Sequence, residues 1–124
     1  MPATILNAII EQGADWEDWI VVTEEASGDP MDLTGFSASL QMRGAYADLD
    51  PVVSLTTTPA AAGKIELAGS LPTGVVRWKV AGATTQAFES PGRLYWDLIL
   101  TAPDGSRIMP VRGENTVNPG ATRL

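Results

Sequence analysis

The sequence predicts an all-β fold: one immunoglobulin-like antiparallel β-sandwich of about seven to eight strands, with at most one short helical turn, filling residues 1–124 as a single domain. Three observations carry this reading. Short stretches with a period of two, apolar on one side and polar on the other, recur along the chain. Twelve glycines and nine prolines fall mostly between these stretches, as turn punctuation. No stretch shows the 3.6-residue apolar period of a long amphipathic helix. With 124 residues, 44% of them apolar, the chain is long enough to bury a core.

The first strand is expected over residues 3–10, extending towards Gln12, and Gly13-Ala14-Asp15 breaks it. WEDWIVVT (16–23) follows as the second. Gly28-Asp29-Pro30 and Asp32-Leu33-Thr34-Gly35 then bend the chain, because glycine is free to take positive φ and proline fixes its own. In residues 36–43, Phe36, Ala38, Leu40 and Met42 alternate with Ser37, Ser39, Gln41 and Arg43, the mark of a half-buried strand. Further strands are expected over 52–57, 64–67, 75–80, 94–101 and 108–112, with TTTPAAAG (56–63) as a loop. APDGS (102–106) joins the last two strands as a tight hairpin turn. Residues 83–89 invite the single helical turn, with Thr84 as its N-cap.

The chemistry the chain lacks narrows its function. Without cysteine there is no thiolate nucleophile, disulfide or sulfur-ligated metal. Without histidine, the commonest general base, metal ligand and near-neutral pH switch are all missing, and no serine triad can be built. No phosphate-cradling glycine loop occurs. Asp15, Glu17 and Asp18 are close in sequence, as are Glu24 and Glu25, but calcium needs six to eight oxygens and no Asp-x-Asp-x-Asp-Gly loop is present. They read as a solvated acidic edge. The sequence thus assigns no catalytic residue, no metal ligand and no cofactor, and the chain is expected not to be an enzyme.

Net charge is −7 and uneven. Residues 1–50 hold ten acids against one base, giving −9; residues 51–124 hold five acids against seven bases, giving +2. An acidic chain without a basic stripe is a poor nucleic-acid binder. The split solvates a surface, and it also suits contact between an acidic end and a basic end of neighbouring copies. MPATILNAIIEQ has no positive n-region, and its apolar run is too short for a signal or a membrane span.

The tryptophans are the most informative side chains. Trp78 alternates with Val76 and Val80, and Trp96 with Leu94, Leu98 and Leu100, so both read as core. Trp16 and Trp19 are three apart and point to opposite faces of a regular strand, unless a bulge at Glu17-Asp18 intervenes. An outward tryptophan is an interface anchor, or a platform for a sugar ring; a protein partner is favoured because no cluster of coplanar aromatics accompanies it. Trp16, Trp19, Arg112 and Arg123 are the candidate interface residues.

Taken together, QGADWEDWIVV (12–22), SGDPMDLTGFSASLQMR (27–43), GKIEL (63–67), ATTQAF (83–88), GRLYWDLILTAPDGS (92–106) and RGENTVNPGATR (112–123) resemble, in order, a family of small virion proteins of tailed bacteriophages. The chain is similar to the N-terminal domain of phage baseplate upper proteins and related tail or fibre-attachment domains. AGSLPTG (68–74) and VVRWKVAG (75–82) depart from the family pattern. The resemblance implies a sandwich without catalysis, placed in a symmetric homo-oligomer against other phage structural proteins, with no nucleic acid and no membrane. It implies assembly in the host bacterial cytoplasm and residence in the virion. With no fibre domain after Leu124, an adaptor or ring subunit is expected, its termini held by neighbours or added to a neighbour's sheet edge. A capsid decoration (cement) protein is the alternative within the class, and a carbohydrate-binding module the alternative outside it.

Overall fold

The computed structural model describes residues 3–24, 27–45, 48–58, 60–67, 74–89 and 92–122. Among them are nine strands and one helical turn: β1 (Thr4–Ile5), β2 (Ala8–Glu11), β3 (Trp16–Val21), β4 (Ser37–Arg43), β5 (Val53–Thr56), β6 (Gly63–Leu67), β7 (Val75–Val80), α1 (Gly82–Thr85), β8 (Gly92–Thr101) and β9 (Arg107–Asn118). They form an all-β sandwich. The larger sheet runs β1-β9-β8-β4-β5 with β2 also on β9, and the smaller runs β3-β7-β6. Every pairing is antiparallel except those of β1 and β2, which lie parallel to β9.

Alternation fixes which side of each strand meets the core. In β4, Ala38, Leu40 and Met42 are buried, as their spacing predicts. They pack with Leu98 and Leu100 of β8, Val76 and Val80 of β7, and Val111 and Val117 of β9 in one cluster. At its centre, three indoles bridge the sheets. Trp16 and Trp78 come from the small sheet and Trp96 from the large one, with ring centroids 5.2–6.0 Å apart in tilted or edge-on arrangements. Those are the geometries aromatic quadrupoles favour.

The hairpin at 102–106 forms as expected. Gly105 takes φ +89°, and Asp104 Oδ1 accepts hydrogen bonds from the Ser106 backbone N–H (2.9 Å) and hydroxyl (2.6 Å). At the second bend, Asp32 Oδ1 likewise accepts from the Thr34 N–H (3.0 Å) and hydroxyl (2.7 Å).

Four features differ from the sequence expectation. The first strand divides at Leu6-Asn7 into β1 and β2, which raises the count to nine, yet both halves keep one register on β9 (Thr4 opposite Val111, Ala8 opposite Asn115). Side chains fill the gap in the ladder: the Glu114 N–H donates to Asn7 Oδ1 (2.9 Å), and the Ala8 N–H donates to Asn115 Oδ1 (3.1 Å). Second, β9 continues six residues past Arg112. Its inward positions there are Gly113, Asn115 and Val117, two of them poor strand formers that flanking strands on both sides override.

Third, the β8–β9 register shifts between Leu98 and Leu100. The bulge accommodates Pro110, which has no N–H to give to a ladder. Fourth, the helical turn starts at Gly82, and its N-cap is Ala81 rather than Thr84, with no side-chain cap of its own. The cap comes from elsewhere in the chain: Asp15 Oδ1 accepts the Gly82 N–H at 2.6 Å. The neighbouring Thr85 is fully buried, and its hydroxyl donates to the Ala14 carbonyl (2.8 Å) while accepting the Gly13 N–H (3.1 Å).

The Gly82 N–H, and then Lys79, hold the Asp15 carboxyl below its ordinary value. A lowered folded-state pKa adds stability that is present above the usual aspartate range of about 3.9 and is lost as the pH falls through the lowered value. Asp15→Asn is therefore expected to be less stable than the parent at pH 6, with the difference closing in acid. Denaturant titrations at pH 6 and pH 2.5 check this; an equal difference at both would exclude the charge as the cause.

Candidate interface on the three-stranded sheet

The outer face of β3-β7-β6 is built by alternation and cross-strand register. Because Trp78 points inward, Arg77 and Lys79 must point outward, and the pairing sets them in rows. Glu17, Lys79 and Lys64 form one row, Trp19, Arg77 and Glu66 the next, and Val21 and Val75 a third. The β3–β7 register runs unbroken through Glu17-Asp18, so no bulge intervenes. Trp16 is accordingly buried and Trp19 is 59% exposed.

Trp19 stands beside an open groove of about 560 Å³ lined by residues of all three strands. It also lines a second cleft, of about 420 Å³, along the free edge of β3 towards Thr4 and Pro110. Val21, 45% exposed, extends the apolar surface next to it. An aromatic with an aliphatic neighbour inside a charged surround is the anatomy of a small interface.

The charges on this face are mostly engaged. Lys79 reaches Asp15 (3.3 Å) and Glu17 (3.4 Å), and Lys64 reaches Glu66 (2.6 Å). These contacts, Asp15 foremost, push the Lys79 amine above its usual range, and the Lys64 contact holds Glu66 below its own. All are exposed pairs, so they orient side chains more than they stabilise the fold. Arg77 differs: with the described residues it makes no ion pair or side-chain hydrogen bond, although it lies directly opposite Trp19.

The backbone at Trp19 is also occupied. Val22 donates its N–H to Gly74 O, so the alternate N–H of Trp19 faces the free edge, and it donates to Asp18 Oδ1 at 2.9 Å. By alternation Asp18 shares the inner side of β3 with Trp16 and Ile20, but its carboxylate turns back to the edge.

The four candidate interface residues do not converge. Trp16 belongs to the indole cluster of the core, which corrects its assignment to an interface: its position on β3 faces the larger sheet. Trp19 stands on the edge strand of the face just described. Arg112 is exposed on the outer face of the larger sheet, between Ile5 of β1 and Asp97 of β8. Burial raises the Asp97 carboxyl above its usual value, against the pull of Arg43 and Arg112. Arg123 lies outside the described residues. Ile5 and Ile9, 57% and 62% exposed, form a second apolar strip near Arg112.

Sequence reasoning did not pick out Arg77, Lys64 or Glu66 as companions of Trp19. Alternation in VRWKV sends Arg77 outward, but only the long-range register sets it against Trp19. Among the described residues, no cluster of three or more acidic side chains is placed to hold a metal ion, and no helix is long and apolar enough to cross a membrane. No protein-family model matches the chain, and no curated protein matches it either.

Proposed function

We propose that this chain is a non-enzymatic structural protein of a tailed-bacteriophage virion, working as an adaptor, ring or fibre-attachment subunit of the tail or baseplate. It would be made in the host bacterial cytoplasm and act by packing against other phage structural proteins. The ordered set of motifs from QGADWEDWIVV to RGENTVNPGATR supports the class. The observation that carries the mechanism is Trp19, a large aromatic kept in solvent on the edge strand of a sheet face. Exposing it has no use inside the subunit, because Trp16, Trp78 and Trp96 already fill the core. Burying one such anchor at the dry centre of an interface supplies much of its binding energy, and the charged surround sets register.

Trp19→Asp is expected to leave the subunit folded by circular dichroism and to block its incorporation into particles. Unaltered incorporation would remove the interface role. Electron microscopy of the particle separates a tail or baseplate position from a capsid-surface cement position. Binding of the isolated protein to a glycan array, abolished by Trp19→Ala, would instead favour a carbohydrate-binding module.

A further inference from the structure

We propose that the free border of β1 and β2 pairs with the same border of a second copy of this chain, antiparallel about a two-fold axis at Asn7. The inference rests on the subunit-packing reading above and names a contact through which copies pack. β1 and β2 together form the outermost strand of the larger sheet and keep one register on β9. The Leu6 N–H donates to the Arg112 carbonyl (2.9 Å) and the Gln12 N–H to the Asn118 carbonyl (3.0 Å), so the even-numbered residues address β9. By alternation, the N–H and C=O groups of Ile5, Asn7 and Ile9 point away from the sheet, and among the described residues they meet no hydrogen-bond partner. The row ends at Glu11, whose carbonyl accepts the Ala14 N–H (3.0 Å).

Nothing blunts this border. Residues 4–10 carry no charge and no proline, whereas the β3 border has the Asp18 carboxylate turned onto it. Ile5 and Ile9 stand exposed on the outer face, while Ile10, one position on, is buried in the core. Parity and spacing then select the occupant. In an antiparallel pair, residues that exchange two hydrogen bonds stand directly opposite one another. A dyad at Asn7 sets Ile5 opposite Ile9 of the second copy, Asn7 opposite its own equivalent, and Ile9 opposite Ile5 of the second copy. Every outward amide then meets an outward carbonyl. The same register covers both isoleucines of both copies as two cross-strand pairs on the outer face, and sets no like charges opposite each other. A dyad at Ile5 or at Ile9 pairs one isoleucine with itself and carries the other past the end of the partner's strand. The border is thus complementary to itself. Such a contact is isologous and closes at two copies, with the two larger sheets made continuous.

The test uses the full chain, with mass followed by sedimentation velocity over a concentration series, fold by circular dichroism and amide exchange residue by residue. The parent is expected to pass from monomer to dimer as concentration rises. On dimerisation the amides of Ile5, Asn7 and Ile9 should slow about tenfold or more, whereas those of Leu6 and Ile10 are protected in both states. Ile9→Lys should keep the fold and weaken dimerisation about tenfold or more. Ile5→Lys combined with Ile9→Glu places opposite charges across the joint twice, and should dimerise about tenfold more tightly than Ile5→Lys combined with Ile9→Lys. A dimer in which the Ile5, Asn7 and Ile9 amides exchange as fast as in the monomer would overturn the proposal. So would an Ile9→Lys dimer of parental strength, or equal affinities of the two double variants. A parent that is monomeric at every concentration, yet needs Trp19 to enter particles, would overturn this contact and leave the subunit-packing role standing. A dimer with these signatures, together with incorporation that does not need Trp19, would support this contact and remove the Trp19 role.

Discussion

Replacing Trp96 with alanine is expected to lower the unfolding free energy by about 3–5 kcal/mol, and to lower Tm by roughly 10 °C or more. The indole is 1% exposed and is the larger sheet's contribution to the three-ring cluster, with centroids 5.2 Å from Trp16 and 5.3 Å from Trp78. Removing it forfeits two aromatic contacts and leaves a cavity between sheets that cannot fully close around it. In a domain whose whole margin is about 5–15 kcal/mol, that is a large share. Among the described residues, the buried indole N–H of Trp96 has no hydrogen-bond partner, and neither has that of Trp78. Trp96→Phe, which keeps a ring and deletes the unpaired donor, should therefore cost far less than Trp96→Ala. Urea unfolding of both variants measures the gap. Near-equal costs would mean that ring packing is not what binds the sheets here.

Gly113→Ala is expected to detach the N-terminal strand from β9. A Cβ at Gly113 would overlap the Leu6 carbonyl oxygen and would come within 3.1 Å of Trp96 Nε1. The position sits where β1 gives way to β2, and the backbone of Leu6 approaches because nothing projects there; its N–H bonds to the Arg112 carbonyl at 2.9 Å. Something must shift, and the outermost strand has the fewest neighbours to hold it. Overpacking of this kind costs about 1–3 kcal/mol. Its signature is local: amide exchange over residues 4–11 should accelerate while β4 and β8 stay protected. Gly105→Ala is the control, because a Cβ there meets nothing within 4 Å and only the φ of +89° is strained. Native-like exchange at residues 4–11 in Gly113→Ala would show that the overlap is relieved without loss of the strand.

The residues that made the fold legible were those whose pattern is local. Ala38, Leu40 and Met42 announce both strand and inner face, and the spacing of Trp16 and Trp19 splits them between core and solvent. What stayed hidden depends on partners distant in sequence. Ile10 lies beside Val117 in parallel, a pairing no local pattern encodes, and that neighbour keeps Gly113 and Asn115 extended against their own preference. The helical cap differs from the sequence expectation for the same reason: Thr84 has the right chemistry, but Asp15 arrives from far away in the sequence. Of the candidate site, sequence yielded its exposed tryptophan and not the row of Arg77 and Glu66 beside it, which exists only once β3, β7 and β6 are in register.

The turned-back carboxylate of Asp18 bears on how an exposed strand border avoids pairing with another chain. An outermost strand normally offers its spare amides as a template for another chain, the first step towards fibrils. With the Trp19 amide already taken and a negative group lodged at the border, β3 cannot be extended by simple zippering at its midpoint. Any contact made at this border is then left to side chains rather than to an added strand.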